Sequence, residues 1–139
     1  MGNPIDSNAP VARKAALIAL VTTIIADGKV DANEVSDLRT KFYEDGKIDR
    51  DECDAIFQIN DAVSGAKNDP GWDELFSDVV SDHICADGKL DEEEANYLMA
   101  KMMADGGVDA PERMALVKIR AKATEIFPAF DEAMKSLGI

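Results

Sequence analysis

One eight-residue pattern, written four times, constrains this chain more than anything else in it. The copies are Asp27-Gly-Lys-Val-Asp31-Ala-Asn-Glu34, Asp45-Gly-Lys-Ile-Asp49-Arg-Asp-Glu52, Asp87-Gly-Lys-Leu-Asp91-Glu-Glu-Glu94 and Asp105-Gly-Gly-Val-Asp109-Ala-Pro-Glu112. The common form is D-G-x-h-D-x-x-E, with Val, Ile or Leu at h. Copies within a half lie 18 residues apart, and the two halves are offset by 60. At that offset Ala26, Leu38, Lys41, Ala55 and Ile59 match Ala86, Leu98, Lys101, Ala115 and Ile119. The chain reads as an internal duplication.

Each part of the pattern has a local physical cause. Glycine enters the left-handed region at no steric cost, so Asp-Gly ends one helix, and Gly28, Gly46, Gly88 and Gly106 are expected at positive φ. The second Asp is an N-cap for the next helix, and the Glu three residues later completes a capping box. The apolar residue between them (Val30, Ile48, Leu90 or Val108) turns inward and pins the loop. Pro111 falls in the first turn of its helix, where its missing N–H is not needed.

These connectors predict an all-α fold with about seven helices, at residues 9–26, 31–43, 49–64, 72–86, 91–103, 109–126 and 128–137. Two three-helix halves, at 12–63 and 72–123, are joined by a linker at 65–71, with a C-terminal helix added, all in one domain spanning 1–139. Helical stripes agree: Trp72, Leu75, Phe76, Val79, Val80, His83 and Ile84 share one face, and Val35, Leu38 and Phe42 another. No segment shows sustained strand alternation. With 46% apolar residues and only 6% aromatics, the core is expected to be aliphatic and close-packed. The run 15–26 follows Arg13 and Lys14 in the manner of a secretory signal. It is too short to span a bilayer and lacks a cleavage-site pattern, so it is read as the first core helix. Asp6 likewise breaks a myristoylation motif.

The formal charge is −13, from 28 acids and 15 bases. Such a field repels phosphate backbones and argues against nucleic acid as a partner. It favours cations or a protein partner with a basic surface. Cys53 and Cys85 form no CxxC and sit within helical patterns, which suits buried thiols and a cytoplasmic protein. His83 is the single histidine. Histidine-dependent metal or triad chemistry therefore lacks material, no nucleotide loop follows a strand, and the chain is expected not to be an enzyme. Leu98, Met99, Met102 and Met103 form a stripe suited to core packing or to an adaptable docking face.

The pattern matches the second half of an EF-hand loop, and the match stops there. The first and third ligand positions would fall on Thr23 and Ile25, Lys41 and Tyr43, His83 and Cys85, and Lys101 and Met103. None is a carboxylate, whereas calcium takes about six to eight oxygens. Ordinary EF-hand binding is disfavoured.

Ile25-Ala-Asp-Gly-Lys-Val-Asp-Ala-Asn-Glu34 and Cys85-Ala-Asp-Gly-Lys-Leu-Asp-Glu-Glu-Glu94 do resemble the connectors of the tellurite-resistance TerB-like family, over roughly residues 12–126. The resemblance implies an all-helical fold, acidic metal-binding positions and a role in stress response or protein assembly. The two further connectors, at 45–52 and 105–112, depart from that family's pattern. Two readings of the connectors follow. They are helix caps in a structural or interaction protein without a ligand, such as an assembly subunit or an acidic inhibitor. Alternatively, they hold a divalent cation weakly, calcium or magnesium, through Asp27, Asp31, Glu34, Asp87, Asp91 and Glu94.

Overall fold

Helices begin where the second Asp of each connector stands. The computed structural model describes residues 4–44, 46–103 and 108–139. Among them run α1 (Pro4–Asp27), α2 (Ala32–Phe42), α3 (Arg50–Val63), α4 (Gly71–Ile84), α5 (Glu92–Leu98), α6 (Ala110–Lys122) and α7 (Pro128–Ser136). Asp31, Asp49, Asp91 and Asp109 are the N-caps of α2, α3, α5 and α6, and all four have extended backbone. The protein is all-α, with helix order α1–α2–α3 repeated as α4–α5–α6 and α7 added.

Helix ends follow equally local rules. The Gly28 N–H donates to Ile24 O at 2.8 Å, and Gly28, Gly46 and Gly88 have φ of 80°, 84° and 81°. Gly106, expected to match them, lies outside the described residues. The apolar connector residues do turn inward: Val30, Ile48 and Leu90 are buried and Val108 is partly buried.

Three features depart from the sequence reading. Helix α1 starts at Pro4 rather than near 9. Residues 99–103 carry α5 onward as a π-helical turn. Helix α6 stops at Lys122 rather than near 126, and Glu125–Ile126 (β2) pairs in parallel with Lys89–Leu90 (β1). Tertiary contact overrides propensity here. Thr124 N and Phe127 N donate to Gly88 O and Leu90 O, at 2.7 and 2.8 Å, and tie the chain after α6 to a connector. The first half uses the same device, with Asp69 N donating to Val30 O at 2.8 Å and Val30 N to Asn68 Oδ1 at 2.9 Å.

Both halves share one core. Helix α4 is its centre, packed on α6, α3 and α2, with Trp72, Leu75, Phe76, Val79, Val80 and Ile84 all fully buried. Phe57 meets Phe76 edge-on at 5.3 Å between centroids. Trp72 Nε1 donates to the buried amide of Asn60 at 3.2 Å, and Asn60 Nδ2 donates to Asp109 Oδ2 at 2.8 Å. A buried amide without such partners would be costly. Helix α1 packs only on α3 and α2 among the stronger helix pairs. Its run 15–26 buries Leu17, Val21 and Ile24 but leaves Ile18 and Ile25 exposed, so it is a core helix on one face only. No helix of the described residues is long and apolar enough to cross a membrane.

Candidate functional site

The connector carboxylates are engaged by backbone. In every copy the Asp Oδ1 accepts from the N–H of the Glu three residues on, at 2.8–3.0 Å. The Glu Oε1 accepts in return from the Asp N–H, at 2.9–3.2 Å. Asp31 with Glu34 and Asp91 with Glu94 are thus complete capping boxes, each satisfying donors that a helix start leaves open. Asp87 Oδ1 accepts from Lys89 N at 3.0 Å, and Asp27 ends α1 exposed to solvent.

Burial, and then the neighbouring charges of Asp91 and Asp87, raise the Glu94 carboxyl above its ordinary range, against the hydrogen bond from Asp91 N and the charge of Arg50. Among the described residues, however, no three histidine, cysteine, aspartate or glutamate side chains gather as a metal ion would require. Asp45 and Asp105 lie outside those residues. The carboxylates present fit helix capping better than a resident cation, which would compete with backbone donors for the same oxygens.

A second cluster joins the halves. Arg50 Nε can only donate, and it lies 3.2 Å from His83 Nε2; the imidazole therefore accepts there and carries its proton on Nδ1, 3.0 Å from Ile48 O. The Arg50 guanidinium lies 3.9 Å from the Tyr97 ring centroid, a cation–π contact. Tyr97 donates to Asp54 at 2.6 Å, and Lys101 approaches Asp54 at 3.6 Å. Burial pushes the neighbouring Cys53 thiol up to about 12, Asp54 adding to it while Tyr97, Arg50 and Lys101 oppose. Cys53 is therefore a neutral core thiol at physiological pH and a poor nucleophile. Both cysteines are free.

The third feature is a charged seam along α4. Lys118 Nζ lies 2.8 Å from both Glu74 and Asp78, and Lys122 Nζ lies 2.8 Å from Asp82 and 3.0 Å from Ser81 Oγ. From the other side, Arg39 of α2 donates to Asp78 at 3.1 Å, and Tyr43, the C-cap residue just after α2, donates to Asp82 at 2.5 Å. Burial works to raise the Asp78 carboxyl, and Lys118 with Arg39 outweighs it, leaving it below the ordinary range. Burial and the hydrogen bond to Asp82 raise the Tyr43 phenol.

Sequence reasoning singled out neither this seam nor the Arg50–His83–Tyr97 cluster. The late cluster of bases, which includes Lys118, Arg120 and Lys122, is visible in the sequence; which acids meet it depends on α4 lying against α6. No protein-family model, curated protein or solved structure matches the chain.

Proposed function

We propose that this protein is a non-catalytic interaction module whose acidic surface docks a partner with a basic surface. The observation that carries this reading is how the chain places its charge. Arg39, Lys118, Lys122 and Arg120 are tied to Asp78, Glu74, Asp82 and Asp131 within the molecule. These pairs neutralise themselves and leave the net −13 to the rest of the surface. A field of that sign draws in basic partners and speeds their encounter. The connectors serve the scaffold, and the assembly role that the TerB-like resemblance implies is a setting in which such a scaffold would act.

Binding of a lysine-rich peptide tests the reading. Affinity should fall steeply as monovalent salt rises, because screening shortens the reach of the field to about 10 Å at 0.1 M. Equal binding of an acidic peptide of the same length, or no binding of the basic one at low salt, would refute it.

The cation reading has its own test. Calcium or magnesium should raise the melting temperature no more than monovalent salt at matched ionic strength does. A larger rise in the parent that vanishes in Asp31→Asn plus Asp91→Asn would restore it, since those changes remove charge while keeping good N-caps.

A further inference from the structure

His83 is the one histidine in a chain of 28 acids and 15 bases, and its partners are not acids. Its Nε2 accepts from Arg50 Nε at 3.2 Å, and its Nδ1 donates to Ile48 O at 3.0 Å. Among the described residues, no hydrogen bond or ion pair joins the ring to a carboxylate. Both ring nitrogens thus meet partners that suit neutral imidazole, a carbonyl oxygen and a cationic donor. At the repeat offset of 60 the pair has no counterpart. Thr23 matches His83 and donates to Ala19 O within α1, and Ala110 matches Arg50. The contact is an addition to the repeated frame, not part of it.

Arg50 is the first residue of α3, and its side chain touches two other helices. It reaches His83 on α4 and lies over the Tyr97 ring of α5, 3.9 Å from the centroid. One side chain therefore ties the start of α3, in the first half, to α4 and α5 in the second. The tie exists in one charge state of the ring. Protonation places a hydrogen on Nε2, which then faces the Arg50 N–H donor to donor and cation to cation. The charged groups around the pair are engaged with other partners. Asp54 of α3 accepts from Tyr97 and meets Lys101 at 3.6 Å. Asp82, beside His83 on α4, is held by Lys122 of α6 and by Tyr43. In the connector that carries Ile48, Asp49 and Glu52 cap α3, and Lys47 adds a further cation. Glu94 of α5 accepts from Asp91 N and attracts Arg50 electrostatically. Burial raises the Glu94 carboxyl, so its titration in acid has to be separated from that of the ring.

We infer that His83 is a proton-sensitive latch between the two halves: the neutral ring holds Arg50, and the protonated ring releases it. Imidazole changes charge between about pH 5 and 8, so the contact is complete toward the upper end of that window and lost toward the lower. Ile48 O keeps its donor throughout, because Nδ1 carries a hydrogen in both charge states. Release loosens the first turn of α3 and, through Tyr97, α5 against α4. The apolar contact of Phe57 with Phe76 still keeps the halves together, so the change is a local opening within a folded molecule. It is independent of the basic-partner reading above.

The experiment follows the full chain between about pH 7.5 and 5.5, inside the imidazole window. Nitrogen NMR of the parent records the His83 ring and Arg50 Nε together. The two should move along one titration curve, and an Arg50 Nε that stays in place while the ring titrates overturns the proposal. Hydrogen exchange reads the consequence as protection relative to an unfolded chain at the same pH. Over residues 48–54 and 92–98 the parent should lose at least about fivefold in protection between the two pH values. His83→Gln should hold its protection across the same interval. Glutamine offers Arg50 an oxygen and Ile48 O an N–H without a titrating ring, and it leaves Glu94 untouched. If His83→Gln loses as much protection as the parent, the loosening belongs to Glu94 or another carboxylate and the latch is overturned. Arg50→Met keeps an apolar stem over Tyr97 but removes the donor. Its protection should be low at both pH values, and a fall with acid equal to the parent's also overturns the latch. Circular dichroism confirms that each variant is folded, and the parent's NMR titration decides the matter without either.

Discussion

Gly28 and Gly88 hold the same backbone conformation for the same reason, yet their surroundings differ. A Cβ at Gly28 would meet nothing within 4 Å, whereas one at Gly88 would lie 3.6 Å from Thr124 Oγ1. Replacing Gly28 with Val should therefore cost about 1–2 kcal/mol through the left-handed backbone alone. Gly88→Val should cost at least as much, because Thr124 N and Oγ1 both donate to Gly88 O and any shift disturbs them. Thermal denaturation of the two variants checks this, and unchanged melting temperatures would contradict the capping geometry. The aspartates give a parallel expectation. Asp49→Ala should lose about 1 kcal/mol and Asp49→Asn only a few tenths, since Asn caps nearly as well. At this scale the sequence was most informative, because capping involves only residues within a few positions of one another.

Legibility falls at the scale of elements. The starts of α2, α3, α5 and α6 could be read from their N-cap aspartates to within a residue, whereas β1 and β2 could not be read at all. Each strand is two residues long, and what makes it a strand is a partner some 36 residues away. The seam on α4 is a similar case, and its chemistry makes a pH prediction. Asp78 titrates below its ordinary range, so it adds stability that is fully present above its unfolded pKa of about 3.9 and is lost as pH falls through the lower folded value. For Lys118, burial lowers and the pairs with Asp78 and Glu74 more than restore, leaving it raised. Its contribution is present below its unfolded value of about 10.4 and lost as pH rises through the folded one. Asp78→Asn should thus destabilise by about 1–2 kcal/mol at neutral pH, since Asp78 is only 28% exposed. The gap between parent and variant should close as pH drops below about 4. Urea titrations at several pH values measure it; a gap that persists undiminished in acid would mean that packing, not charge, holds α4 to α6.

At the scale of the whole molecule, the repeat does not end with α6. Pro128, Phe130 and Met134 stand 58 residues after Pro70, Trp72 and Phe76, and all four of the aromatic and methionine side chains are fully buried. The residue before each proline is bound alike, Asp69 N to Val30 O and Phe127 N to Leu90 O. Helix α7 thus repeats the start of α4, stopping after 9 residues where α4 runs for 14. It closes the second half as α4 closes the first, with Phe130 and Met134 in the shared core. Reading the sequence at a single offset of 60 hid this, because the chain between α6 and α7 is two residues shorter than its first-half counterpart. If α7 closes the second half in this way, its two buried side chains carry stability out of proportion to its length. Phe130→Ala should cost about 3–5 kcal/mol and Met134→Ala about 2–5, against a total of about 5–15 for a domain of this kind. The pair, one turn apart on the same face, need not be additive. Ser136→Ala, exposed on the last turn, should change little. Because the core is shared, loss of α7 should also be felt at a distance. Trp72 fluorescence and far-ultraviolet circular dichroism should report one common transition, shifted to lower urea in both variants. If Phe130→Ala left the Trp72 transition in place and altered only a minor helical signal, α7 would be an appendage, and the second half would be closed without it.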